Sequence, residues 1–194
     1  MEEHSLGAGV KSALILVDVI NHFDFPDGRD LLQNSLAIAG PIRRLKERAR
    51  AARLPVIYVN DNFGRWRSDF RQVLDRCMEC GGDVKSFVSQ LSPDDRDYVL
   101  LKPKHSGFYC TPLDLLIKDL GIQRLILAGI ATNSCILCTA HDANMRDLKL
   151  AVPADCCASR SSEEHEHAID LLCRMVGADV TSSTDAGFQL NPED

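Results

Sequence analysis

Arg124-Leu125-Ile126-Leu127-Ala128 leads into Gly129-Ile130-Ala131-Thr132-Asn133-Ser134-Cys135, and the reading of this stretch decides the fold. A continuous aliphatic run of that length predicts a strand buried on both faces, and the small polar residues after it carry the chain into a helix. Runs of the same kind lie at 13–17, 56–59, 98–101, 150–152 and 178–180. Helical patterns separate them. Pro41 suits a first helical position, with Ile42, Leu45 and Ala49 following on one face. Leu113, Leu116, Ile117 and Leu120 recur at helical spacing and stop at Gly121, a candidate for the residue just past a helix end. Ser161 with Glu164 suggests a capping box opening a helix that continues through Ile169, Leu172, Cys173 and Val176, and residues 133–147 form a less regular helix. Strands alternating with helices imply right-handed crossovers. The expected fold is therefore an α/β class, three-layer α/β/α sandwich around a mostly parallel, six-stranded, doubly wound sheet. In such a sheet, chemistry collects beyond the carboxyl ends of the strands.

Composition narrows the function. The chain has 194 residues, 45% of them hydrophobic and 26% charged, which fits one domain spanning 1–194 with soft ends at 1–11 and 185–194. A net charge of −6, with no basic stripe interleaved with aromatics, disfavours nucleic acid as a partner. The longest apolar run is far too short to span a membrane, and the acidic start Met1-Glu2-Glu3-His4-Ser5 has no apolar segment behind it, so a cytoplasmic protein is expected. Eight cysteines in such a chain read as reduced thiols rather than a disulfide framework.

Three strand ends carry groups that could do chemistry. Asp18 lies one residue past the first strand, where a carboxylate serves either as a general base or as a cap. Lys102 closes the third strand before Pro103, a place where a solvated lysine is equally ordinary. Cys135 falls in the first turn of the helix after the 124–128 strand, where the helix dipole would stabilise a thiolate, although a small core residue is the commonest fate of a free cysteine.

Together these motifs carry a resemblance. Asp18-x-x-Asn21-x-Phe23, Lys102-x-x-x-Ser106-Gly107-Phe108 with Thr111-Pro112-Leu113 behind it, and the stretch ending at Cys135 resemble the isochorismatase-like cysteine hydrolases over roughly residues 12–180. The resemblance implies a catalytic set of Asp18, Lys102 and Cys135, with Lys104 as the rival lysine set aside because the step to Ser106 matches Lys102. It also implies a cis peptide between Ile130 and Ala131, an oxyanion hole built from the N–H groups of Ala131 and Cys135, and a homo-oligomer, dimer or tetramer. The mechanism it suggests is attack of Cys135 on a small amide or carbamoyl-type carbonyl, with Asp18 moving the proton and Lys102 favouring the thiolate.

Departures from the family pattern refine this expectation. A nucleophilic cysteine argues for amide hydrolysis over the vinyl-ether cleavage of isochorismatases proper, which stays as the alternative beside a catalytically silent binding or assembly protein. The segment Val59-Asn60-Asp61-Asn62-Phe63-Gly64-Arg65-Trp66-Arg67 lacks the histidines of metal-dependent nicotinamidases, so no metal or other cofactor is expected. The Lys102–Phe108 segment looks most like ureidoacrylate-type amidohydrolases. Phe23, Trp66, Phe108 and Tyr109, with Asn60 as a polar contact, are the expected substrate-binding residues. Cys135-x-x-Cys138 lacks the flanking residues of a redox pair, and Cys77-x-x-Cys80 with Cys156-Cys157 lacks the spacing of a zinc site. His165 with His167, and the Arg43, Arg44, Arg48, Arg50 group, are read as solvated helix faces, and His141 with Asp142 as too far along their helix to touch the site.

Overall fold

The computed structural model describes residues 10–191 apart from residue 68; the acidic start and the outermost parts of the two expected soft ends lie outside the described residues. Strand β1 (Ser12–Val17) is central, flanked by β2 (Val56–Asp61) and β4 (Arg124–Ile130). Strand β3 (Tyr98–Lys102) lies outside β2, and β5 (Lys149–Ala151) and β6 (Cys157–Ala158) share the far flank of β4. All these pairings are parallel. Strand order therefore reverses between β1 and its two neighbours, which is where a doubly wound sheet opens a crevice.

Alternation along the strands builds two cores. Leu14, Leu16, Tyr58, Ile126 and Ala128 face one layer, made by α1 (Gly28–Ala51), α2 (Phe70–Glu79) and α3 (Gly82–Leu91). Ala13, Ile15, Val17, Ile57, Leu125 and Leu127 face the other, made by α4 (Leu113–Asp119), α5 (Leu137–Asn144) and α6 (Ser162–Val176). No helix among the described residues is long and apolar enough to cross a membrane.

Several expectations need correction. Helix α1 starts at Gly28, so Pro41 lies inside it and not at its first position. A proline there removes one helical hydrogen bond and costs about 3 kcal/mol, but the buried face from Leu31 through Ile38 and Ile42 to Ala49 runs unbroken past it. The run at 178–180 contributes only a bridge from Asp179 to Ala151, and the sixth strand is Cys157–Ala158. Two residues cannot show a period, so that strand was invisible in the sequence. Tyr98 and Val99 are 41% and 42% exposed, because β3 is an edge strand and not a doubly buried one. Gly121, in contrast, takes φ +65° just after α4, and Ser161 accepts from the Glu164 N–H to cap α6.

Gly129 shows what the crevice demands. Its φ is +127°, and a Cβ there would meet the Val17 carbonyl oxygen at 2.0 Å. Only glycine lets β4 lie this close to β1 where the two diverge. Gly129→Ala should therefore cost at least about 2 kcal/mol in urea unfolding, against about 1 kcal/mol for Gly121→Ala, whose Cβ would meet nothing within 4 Å. Equal losses would contradict the close-approach argument.

Candidate active site

The carboxyl ends of β1, β2, β3 and β4 converge on one buried cluster. Asp18, immediately after β1, adopts φ +53°, a left-handed conformation that Asp tolerates better than most residues. Its N–H donates to the Val59 carbonyl at 3.1 Å, and its Oδ1 accepts the Asp61 N–H at 2.6 Å, so two hydrogen bonds to β2 fix the carboxylate. Lys102 ends β3 in register with Asp61 and is fully buried. Its Nζ lies 2.8 Å from Asp18 Oδ2 and 3.6 Å from Asp61 Oδ2, and donates to the Lys104 carbonyl at 3.1 Å and to Cys135 Sγ at 3.4 Å. The cluster thus joins Asp18, Lys102 and Cys135. Lys104 contributes only its carbonyl, and its side chain is exposed.

Cys135 sits in a π-helical turn, Thr132–Ile136, and not in the first turn of an ordinary α-helix. Hydrogen bonds with α5 on one side and with the start of α6 on the other hold this turn. Thr139 donates to the Cys135 carbonyl at 2.6 Å and accepts the Gly107 N–H at 2.9 Å, tying α5 to the loop after β3. The Asn133 N–H donates to Ser159 Oγ at 3.3 Å, and the Asn133 amide donates to Glu164 at 3.1 Å. Before the turn, the Ile130–Ala131 peptide is cis, and the Ala131 carbonyl accepts from the Ser134 and Ile136 N–H groups.

The proton inventory follows from burial and charge. Burial raises the Asp18 carboxyl above its ordinary range, outweighing the pull of Lys102. Burial works against the Lys102 ammonium, yet Asp18, Cys135 and Asp61 together raise it. Burial and then the Asp18 carboxylate push the Cys135 thiol up, with Lys102 only partly opposing them. The 2.8 Å ion pair holds Asp18 as a carboxylate against the Lys102 ammonium, and the raised thiol keeps its proton. This corrects the expectation of a standing thiolate at a helix N-terminus, because Cys135 is buried and its thiol lies beside a buried carboxylate.

Other expected site residues have structural employment. Asn60 is fully buried, accepting from the Ile20 N–H at 3.0 Å and donating to the Ile20 carbonyl at 2.7 Å, so it braces the loop after β1 instead of presenting a polar contact. Phe23 packs into the first core beside Phe87, and Phe108 into the second beneath the Arg146 guanidinium. Trp66 and Tyr109 are 80% and 56% exposed. Sequence reasoning passed over His105, whose Nδ1 lies 3.1 Å from Ser134 Oγ and 3.8 Å from Cys135 Sγ. It sits inside the Lys102–Phe108 motif, three residues past a strand, and no periodic signal marks it. Asp61, in the segment read only for its lack of histidines, turns its carboxylate toward Lys102; no group of three or more potential metal-binding side chains gathers among the described residues.

Outside the cluster, Asp142 accepts from the Ser106 hydroxyl and so anchors the motif loop from α5. His165 pairs with the Thr132 hydroxyl at 2.9 Å, so it buttresses the π-helical turn and is not merely solvated, while His167 is exposed. Arg50 forms ion pairs with Asp94 and Asp97, and Arg48 donates to the Ser183 carbonyl, so that face of α1 is only partly a solvated one.

A family model described as Isochorismatase domain matches residues 12–185. The isochorismatase family protein YaaI of Bacillus subtilis is 39% identical over 170 residues, spanning 88% of this chain and 93% of that protein. Ureidoacrylate amidohydrolase RutB of Methylorubrum extorquens is 31% identical over 172 residues, spanning 74% of this chain and 68% of the relative. Among solved structures, N-carbamoylsarcosine amidase from Thermoplasma acidophilum is similar with a TM-score of 0.69 and 31% identity, covering 92% of this chain and all of that one.

The opposed charges around the sulfur make a directional prediction. Asp18→Asn removes the carboxylate that raises the thiol and leaves the ammonium that lowers it. Alkylation of Cys135 by iodoacetamide, followed by peptide mapping, should therefore reach half its maximal rate at lower pH in Asp18→Asn than in the unmodified protein. A profile shifted to higher pH would mean that Asp18 assists ionisation instead of opposing it.

Proposed function

The chain belongs to the isochorismatase family of hydrolases, and from that premise we propose that it cleaves the C–N bond of a small amide or carbamoyl-type substrate through a Cys135 thioester. One observation carries this reading: a single buried ammonium, Lys102 Nζ, stands 2.8 Å from Asp18 and 3.4 Å from the Cys135 sulfur. A base and a thiol held by one cation exchange a proton without separating new charge far from a counter-charge.

The steps follow from that inventory. Cys135 gives its proton to Asp18 as the sulfur attacks the carbonyl carbon, and Lys102 steadies whichever partner is negative. The tetrahedral oxygen is received by the N–H groups of Ala131 and Cys135, which belong to the same turn as the nucleophile; a donor of this kind is commonly worth about 3 kcal/mol of barrier. Asp18 then passes its proton to the leaving nitrogen, the C–N bond breaks, and ammonia or an amine departs. Water enters, gives a proton to Asp18 and attacks the thioester. The C–S bond breaks, the acid leaves, and Asp18 returns the proton to sulfur. Raised proton affinity at Asp18 supports this exchange by making the carboxylate a better acceptor, whereas the raised affinity of the Cys135 thiol opposes it and is partly offset by Lys102.

The amide chemistry draws further support from the named activities of the ureidoacrylate amidohydrolase and the N-carbamoylsarcosine amidase, each 31% identical to this chain. A panel of small amides and carbamoyl compounds scored by ammonia release should reveal a substrate. Intact-protein mass spectrometry of Asp18→Asn with an activated ester of that substrate should then show one acyl group on the Cys135 peptide and none in Cys135→Ser. A Cys135→Ser variant that keeps most of the wild-type rate would overturn the covalent route.

The lysine assignment is tested separately. Lys102→Ala should lower kcat at least about a hundredfold, since it leaves a buried carboxylate and the sulfur without their cation. Lys104→Ala should stay within a fewfold of wild type, because only its carbonyl touches the cluster. The reverse ranking would move the role to Lys104.

A further inference from the structure

We infer that the cavity between the loops after β1 and β2 and helix α2 is a carboxylate subsite, so that the substrate is itself a small, flat acid. This rests on the amide-hydrolase reading and narrows it to amides or carbamoyl compounds carrying an anionic group.

The cavity holds about 370 Å³, a volume suited to a small organic acid. Its lining includes Arg65, Arg67 and Arg76 and, among the described residues, no Asp or Glu. That is a local reversal in a chain whose net charge is −6. Acidic groups stand around its edge: Asp24 pairs with Arg76 at 3.1 Å with its side chain 74% exposed, Asp69 accepts the Gln72 N–H at the start of α2, and Asp61 acts on His22 from the end of β2. Arginine offers a planar fork of donors that matches a carboxylate.

His22 adds a directed donor. The residue is nine-tenths buried and lines the cavity, and its Nδ1 accepts the Asp24 N–H at 3.1 Å. An accepting Nδ1 leaves the ring proton on Nε2, which gives the cavity-lining imidazole an N–H donor. Burial and Arg76 both lower its pKa and keep that tautomer neutral. The aromatic walls favour a flat occupant. Phe63 packs on the His22 ring at 4.3 Å, and Trp66, at 80% exposure, leaves a large apolar face at the rim that a planar ligand would cover.

Hydrogen bonds join this cavity to the reactive cluster. The Phe63 N–H donates to Asp61 Oδ1 at 2.5 Å, and the Asp61 N–H donates to Asp18 Oδ1 at 2.6 Å. The loop that positions His22 begins at Asp18 itself. An acid seated on the arginines is thereby held by the same two loops that hold the general base.

Trp66 is the sole tryptophan of the chain, which makes its fluorescence a direct report on the cavity. Cys135→Ala, which cannot turn over, is titrated with N-carbamoylglycine, with neutral N-ethylurea and with inorganic phosphate. The acid should change the Trp66 emission saturably and the other two should not. Arg67→Ala should weaken the acid's binding about tenfold, and Arg67→Ala with Arg76→Ala about a hundredfold. In the active protein the same substitutions should raise KM at least about tenfold more for acidic amides than for neutral ones. Equal responses to acid and urea, an equal response to phosphate, or unweakened binding in both arginine variants would overturn the subsite. If Trp66 reports the acid and the arginine variants lose it, yet no amide of either kind is hydrolysed, the subsite stands and the amide reading falls.

Discussion

A fully buried ammonium is the constraint from which the rest of the site follows. Taking Lys102 out of water costs several kcal/mol before any partner is counted. The fold answers with two carboxylates, one carbonyl and one sulfur drawn from four strand ends. Each answering group needs its own backbone solution. Asp18 takes a left-handed φ, Gly129 lets β4 close on β1, and the chain after β4 winds as a π-helical turn. Hydrogen bonds from Thr139, Ser159 and Glu164 then keep that turn from relaxing into an ordinary helix.

Much of this architecture was legible in the residues, for identifiable reasons. β1, β2 and β4 are buried on both sides, so their aliphatic runs are continuous and announce themselves. The two-residue β6 and the one-bridge contact at Asp179 lie below the length at which any period can be read. Helices α2 and α3 were missed because little of each is buried: Val73 and Cys77 on one, Phe87, Val88 and Leu91 on the other. Without a full apolar stripe, the stretch from Phe70 to Leu91 looks like polar connection.

The site was legible at its chemical core and not at its rim. Asp18, Lys102 and Cys135 stand at strand ends, where the topology of a doubly wound sheet directs attention and the motif spacing identifies them. His105 and His22 lie in loops and Asp61 is the last residue of β2, and what they touch depends on how the neighbouring loops and strand ends stack. Asn60 and Phe108 show the opposite error. Asn60 lies near the end of β2 and Phe108 in the loop after β3, both residues of the right type, but Asn60 is used up in bracing Ile20 and Phe108 in packing under Arg146. The charge state was the hardest feature to foresee, since a helix N-terminus suggests a thiolate and only the buried carboxylate beside it reverses that tendency.

The π-helical turn at Thr132–Ile136 sets a limit on how this protein can tolerate change in length. A π-turn holds one residue more than the α-turn it replaces. Losing any one residue there would let α5 run on as regular helix, with its buried face still against the sheet. Each residue of an α-helix turns the next by about 100°, so the same deletion would swing the side chain at the sulfur's position away from Lys102. Lineages that shorten this turn would keep the scaffold emptied of its chemistry, whereas those that only exchange side chains within it would vary what the scaffold does. Length, more than composition, separates the two fates here.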